Sequence, residues 1–216
     1  MTIDQISLQI VEVARRLHAR NMLAAADGNI SYRISDAEIL ITPSGIAKGF
    51  MRPEEMAVIT LDNKILSGKP SSERLMHLAI YKKCPEAKAV IHAHPPTAIA
   101  WSIARPELTE LPSECLSEVI LATGSIPFIP YARPGTLDMG TQLERFLPKH
   151  RAMILSRHGA IAWGPDMDEA YRGMERIEHS ALILAKAVQL GGITNLPADE
   201  VRALKQMRHE MGDTLL

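Results

Sequence analysis

Apolar residues at Ile3, Ile6, Ile10, Val13 and Leu17 recur at the three- and four-residue intervals of one helical face. Thr2-Ile3-Asp4-Gln5 stands ahead of them as a capping box, in which Thr2 and Gln5 satisfy each other's backbone amides. The pattern predicts a helix running to Asn21. Beyond it the period shortens. Ile30–Ile34 and Glu38–Thr42 predict two strands joined through Ser35-Asp36-Ala37, and Ala57–Leu61 with Lys64–Leu66 predict a second pair around Asp62-Asn63. Ser71-Ser72-Glu73 starts a helix that Cys84-Pro85 stops after Lys83. Lys88–His94 alternates as a strand does, and Pro95-Pro96 opens a helix broken near Pro106. A helical piece at Glu114–Ala122, a short strand at Ile126–Pro130 and a helix from Thr136 to near Pro148 follow. Met153–Ser156 and Ala160–Trp163 are apolar strands on either side of Arg157-His158-Gly159. Asp166–Leu190 carries Met167, Ala170, Met174, Ile177, Ala181, Leu184 and Val188 on one stripe and closes at Gly191-Gly192, before a more polar helix at Pro197–Met211.

Strands and helices interleave without a repeat, a low-complexity run or a linker, which predicts one mixed α/β domain over the 216 residues. Composition changes this picture little. The formal net charge of −1, with acids and bases interspersed, argues against a nucleic-acid or membrane-surface partner. Neither a bilayer-spanning run nor an apolar leader at Met1–Gln9 is visible, and Cys84 and Cys115 form no CxxC pair. The expectation is a cytoplasmic protein with two free thiols. The P-loop, GxGxxG, GxSxG and HExxH patterns are absent.

Candidate chemistry begins at His92-Ala93-His94. On a strand, residues two apart share a face with Cα atoms about 6.5–7 Å apart, so two imidazoles can converge on one ion. Alone, the pair fits surface or core histidines equally well. His158, in a turn between two apolar strands and beside Gly159, adds a third imidazole. Three imidazoles with an open fourth position is the arrangement of a catalytic zinc, although cobalt, manganese and iron accept the same ligands. Glu73 is the acid/base candidate, against the plainer reading that it complements a helix dipole. The hydroxyls and amides at Ser71-Ser72, with the small-residue turns Thr42-Pro43-Ser44-Gly45 and Asp27-Gly28-Asn29, suit a phosphate. Each alone is more often just a turn. His77, one turn after Glu73, could support it or simply pack. His18, His150, His179 and His209 show no ligand spacing.

Taken in order, these motifs, together with Pro130-Tyr131-Ala132-Arg133-Pro134-Gly135-Thr136, resemble a class II aldolase of the fuculose-1-phosphate aldolase type, over nearly the whole chain. The resemblance implies the aldolase/adducin-head fold: a single α/β domain, residues 1–216, with a central, mainly antiparallel sheet flanked by helices. It implies His92, His94 and His158 as ligands of one Zn2+ or other divalent ion per subunit, and Glu73 as the catalytic acid/base. Gly28, Asn29, Ser44, Gly45, Ser71 and Ser72 would hold the phosphate of a small phosphorylated sugar. A homotetramer with active sites between subunits is implied as well. Where the family places a tyrosine from a neighbouring subunit as proton donor, this chain has Leu116, within Glu114-Cys115-Leu116-Ser117-Glu118. Glu118 is the first choice for that second proton-handling group, ahead of Glu114 and Tyr131.

The expected reaction is reversible cleavage of a ketose-1-phosphate to dihydroxyacetone phosphate and an aldehyde, through an enediolate. Dehydration of a ketose-1-phosphate, of the methylthioribulose-1-phosphate type, and decarboxylation of a phosphorylated keto-acid share that enediolate and are the alternatives. A non-catalytic binding module of the adducin-head kind is a further one, and it would lack the metal set.

Overall fold

In the computed structural model, residues 1–212 are described; residues 213–216 lie outside them. Eight strands form one sheet: β1 (Asn29–Arg33), β2 (Glu38–Ile41), β3 (Ala57–Thr60), β4 (Ile65–Ser67), β5 (Ala89–Ala93), β6 (Phe128–Ile129), β7 (Ala152–Leu155) and β8 (Gly159–Gly164). Their order is β4-β3-β2-β1-β5-β8-β7-β6. Every pairing is antiparallel except β6 with β7. The helices are α1 (Ile3–Ala19), α2 (Arg74–Lys83), α3 (Pro96–Ala104), α4 (Ser117–Ala122), α5 (Leu137–Glu144), α6 (Met167–Gln189) and α7 (Ala198–Glu210). No helix among the described residues is long and apolar enough to cross a membrane.

Alternation along the strands divides the core into two layers. Ile30, Leu40, Ile91, Ile154 and Ala162 point to the face covered by α1, α3 and α6. Ile41, Val90, Met153, Ile161 and Trp163 point to the face covered by α2 and α5. Met76 and Ile80 of α2 are fully buried there. Burial of each contributes about 1.5–3 kcal/mol, which holds α2, and the residues at its head, against the middle of the sheet.

Local signals explain the element ends. The Thr2 hydroxyl accepts from Gln5 N at 3.2 Å and Thr2 N donates to Gln5 Oε1 at 2.9 Å. Asp166 caps α6 by accepting from Glu169 N at 2.7 Å. At its other end, Gly192 N closes back on Ala187 O at 3.0 Å. Several predicted bounds shift. Helix α2 begins at Arg74, so Glu73 precedes the first turn instead of lying in it. Helix α4 keeps only Ser117–Ala122 of the predicted piece, α5 ends at Glu144, and β6 shrinks to two residues. Val188, expected on the inner stripe of α6, is 47% exposed in the helix's last turn. Cys84 and Cys115 are free thiols, as expected.

Candidate functional site

The antiparallel register sets the site. Asn29 of β1 stands opposite His92 of β5, and His92 stands opposite Ile161 of β8. His94 follows one residue beyond β5, its backbone N–H bonded to Met22 O at 2.8 Å. His158 ends the β7–β8 turn, one residue before β8. The ring nitrogens of His92, His94 and His158 lie within 4.8 Å of one another, and His92 Nε2 and His94 Nε2 are 3.1 Å apart. Gly159 makes room for this: a Cβ there would lie 2.6 Å from Ala93 O and 2.7 Å from His92 Cε1. Gly28 has φ of +74° in the preceding loop, where a Cβ would meet Leu23 at 2.3 Å.

The donor set fits a divalent metal. The Nδ1–H of His92 is committed to Ala160 O at 2.9 Å, which leaves its Nε2 lone pair aimed inward. Around a tetrahedral ion with bonds of about 2.0–2.1 Å, ligand nitrogens sit roughly 3.3 Å apart, close to the spacing of His92 and His94. Glu73 joins the same point, its Oε2 3.3 Å from His92 Nε2 and its Oε1 3.0 Å from His158 Nε2. Inward-facing imidazole lone pairs beside a carboxylate repel one another unless a cation sits among them. Burial, with the neighbouring His92 and His158, lowers His94 to about 3, so it is neutral and able to ligate near pH 7. Burial alone would raise the Glu73 carboxyl, but with no ion bound, His158 and His92 can carry the protons that face it, and their contact outweighs burial and holds the group ionised, well below the usual carboxylate range.

Glu73 is held from behind by a one-way chain of donors. A carboxylate only accepts, so Asn29 must give its Nδ2–H, at 2.9 Å to Oε2. Asn29 Oδ1 therefore accepts from His77 Nε2–H. His77 Nδ1 is then left to accept from the Ser31 hydroxyl at 2.7 Å, and Ser31 Oγ to accept from Tyr81 OH at 2.8 Å. His77 is wholly buried, and burial together with nearby His92 lowers it to about 3, so the neutral ring this chain requires is the stable one. Packing and support, the two readings of His77, are both true.

The expected anion-binding turns line one cleft of about 430 Å³ with Glu73, His94 and His158: Gly28, Asn29, Ser44, Gly45, Ser71 and Ser72 all face it. A bridge between Pro43 and Pro70, with Ser44 N on Lys69 O at 2.9 Å and Ser71 N on Thr42 O at 3.2 Å, brings the serine turns side by side. Ser71 Oγ also accepts from Glu73 N at 3.2 Å, so it shapes the turn that carries Glu73, while Ser72 is exposed.

Lys48 also lines the cleft, unforeseen from the sequence. It is 2% exposed, its Nζ donating to Ala26 O at 2.9 Å and Ile46 O at 2.6 Å. A lone lysine three residues after Gly45 carries no motif; its stem is drawn inward because two loop carbonyls face it.

Glu118 is not brought into this cleft. It lies exposed on the first turn of α4, bonded to the Ser117 hydroxyl at 2.9 Å. Glu114 pairs with Lys205 at 2.7 Å and Tyr131 is 59% exposed.

A family model described as Class II Aldolase and Adducin N-terminal domain matches residues 8–185. The chain belongs to this family. A 3-oxo-tetronate 4-phosphate decarboxylase of Escherichia coli O6:H1 is 32% identical over 182 residues, 82% of this chain and 84% of that protein. An L-fuculose phosphate aldolase of Methanocaldococcus jannaschii is 30% identical over 80% of this chain and 92% of its own length. Among solved structures, YgbL of Klebsiella pneumoniae, a candidate aldolase/epimerase/decarboxylase, superposes with a TM-score of 0.87 at 30% identity, over 94% of this chain and 99% of that one. The mainly antiparallel sheet and its flanking helices are those of the class II aldolase fold, and the chain is a lyase of this family.

Proposed function

We propose that this class II aldolase family member removes CO2 from a phosphorylated 3-oxo acid of the 3-oxo-tetronate 4-phosphate kind, leaving dihydroxyacetone phosphate. The observation that carries the reading is the placement of Glu73: one ionised carboxylate on the histidine cluster, at the head of a cleft lined by serines and turn amides. Loss of CO2 leaves an enediolate that needs one proton at carbon. Glu73, fixed by Asn29 and by the Ser71 turn, is the group positioned to deliver it. Its charged form takes a carbon-bound proton in the reverse sense and must reload from water for each forward turnover. His92, His94 and His158 would hold the metal, proposed as one Zn2+ per chain, which when bound supplies Lewis-acid stabilisation of the developing negative charge. The Ser44–Gly45, Ser71–Ser72 and Gly28–Asn29 turns would seat the phosphate, with the Lys48 charge beneath them.

Aldol cleavage of a ketose-1-phosphate is the second reading, supported by the likeness to the L-fuculose phosphate aldolase. It requires a further group to take the hydroxyl proton of the departing aldehyde. Glu118, exposed on α4, would serve only by reaching the cleft of a neighbouring copy. The homotetramer with shared sites belongs to this reading, as does a cytoplasmic setting. Zinc-loaded protein incubated separately with 3-oxo-tetronate 4-phosphate and with fuculose-1-phosphate distinguishes the two. CO2 and dihydroxyacetone phosphate released together from the first substrate are expected. Dihydroxyacetone phosphate from the ketose alone would replace decarboxylation with aldol cleavage.

A further inference from the structure

Helix α3 touches the metal-ligand set at both ends without lining the cleft. Its N-terminus follows His94 directly, where the amides of Thr97 and Ala98 donate to the Glu178 carboxylate of α6 at 3.0–3.1 Å. Trp101 Nε1 donates to Ala181 O at 2.9 Å, fastening the helix to α6 a turn further on. Near its other end, Ser102 is 4% exposed and faces the β7–β8 turn. The backbone N–H of Arg157 donates to Ser102 Oγ at 2.8 Å, and the Ser102 hydroxyl donates to Ile99 O at 2.7 Å. With its proton committed to its own helix, the Ser102 oxygen presents lone pairs to the turn and cannot rotate away.

Arg157 has φ of +61°, the left-handed region that disfavours a side chain of this kind. Its side chain is exposed, and the turn is pinned at its backbone, by the Arg157 N–H on Ser102 Oγ and by the His158 N–H on Leu155 O at 3.0 Å. The next residue is His158. Any relaxation of Arg157 therefore swings the third imidazole relative to His92, held within β5, and His94, whose backbone N–H is tied to Met22 O.

We propose that Ser102 is a positioning residue for the metal site: it clamps the strained Arg157 turn and thereby fixes His158 against the His92–His94 pair, with α3 as the strut. This rests on the metal-binding reading above. Such a partner behind a ligand sets affinity by orientation, not by contact with the ion.

The test is zinc affinity by competition with a chromophoric chelator, alongside the visible spectrum of the Co2+-substituted protein. Ser102→Ala is expected to weaken zinc binding about 10–100-fold and to alter the cobalt bands, while Ser102→Thr, which keeps the hydroxyl, stays near wild type. Arg157→Gly removes the strain, so adding Ser102→Ala to it is expected to cost little. Unchanged zinc affinity and cobalt spectrum in a folded Ser102→Ala protein would overturn the proposal. So would an equal loss in the Arg157→Gly background, since the serine would then act by packing alone. If Ser102→Ala does not fold, Ser102→Cys, a weaker acceptor, replaces it in the same comparison. Wild-type protein that takes up neither zinc nor cobalt would overturn the metal reading and this proposal together.

Discussion

The two halves of the cleft are built from different material. The histidine half stands on paired strands: His92 is fully buried, and His158 is 10% exposed at the mouth of a tight hairpin. The anion half stands on turns, with Ser72 and Gly45 exposed and Ser44 half-buried. Paired strands hold donor atoms rigidly, and a misplacement of about 1 Å at a reacting centre can cost about 10²-fold in rate. Turn amides and hydroxyls bind a phosphate that is the same in many substrates, and they tolerate looser placement. Glu73 sits at the seam, its carboxylate on the histidines and its backbone on Ser71. On the proposed function, reaction type belongs to one half and substrate class to the other, and substitutions in each should fail differently.

The largest effect belongs to the histidine half. His94→Ala should lose metal by more than the roughly 10–100-fold typical of removing an outer partner, and turnover with it. Metal analysis after dialysis checks this, and full metal content in the variant would break the comparison. At the seam, Glu73→Gln keeps shape but not the titrating proton, so kcat should fall about two to four orders of magnitude with metal retained. A fall of only a few-fold would return Glu73 to a helix-end role.

The turn half should respond in KM. A hydrogen bond to a charged group contributes about 1.5–3 kcal/mol, so Ser72→Ala should raise KM for a phosphorylated substrate by one order of magnitude or more, with kcat nearly unchanged. Ser71→Ala should lower kcat as well, because Ser71 Oγ also accepts the Glu73 amide. Identical kinetic signatures for the two serines would erase the distinction between recognition and positioning.

The smallest effect near neutral pH concerns His77 behind the seam, read in the metal-free protein. Its folded-state proton affinity is lowered to about 3 from an ordinary 6.5. Between those values the unfolded chain binds a proton that the folded protein refuses. Stability should therefore be intact above pH 6.5 and fall as pH drops toward 3, His77 contributing up to about 1.4 kcal/mol per pH unit. Denaturant unfolding at several pH values should show a shallower slope in His77→Gln; an unchanged slope would mean that the ring titrates normally.

How much of this was legible in the sequence follows the same division. Same-face histidines on a strand, a histidine in a glycine-flanked hairpin and serines ahead of a helix are local patterns: His94, His158, Ser71 and Ser72 line the cleft, and buried His92 joins the histidine cluster at its wall. Helix stripes and caps were legible for the same reason, down to the Thr2 capping box and the closure of α6 at Gly192. What escaped depends on residues far apart in the chain. Asn29, Ser31, His77 and Tyr81 become one chain of donors only when β1 packs beneath α2. Lys48 enters the cleft because carbonyls of two loops receive it. The short α4 leaves Glu118 outward, and spacing along the chain could not reveal that.

The central claim is that Glu73 moves the carbon-bound proton, whichever bond is broken beforehand. Exchange of the dihydroxyacetone phosphate carbon-bound proton into deuterated water isolates that step, since it needs neither CO2 nor an aldehyde. Proton NMR of the zinc-loaded wild type should show loss of the signal with time, retained in Glu118→Gln and abolished in Glu73→Gln with its metal still bound. Exchange at the wild-type rate in metal-replete Glu73→Gln would contradict the account.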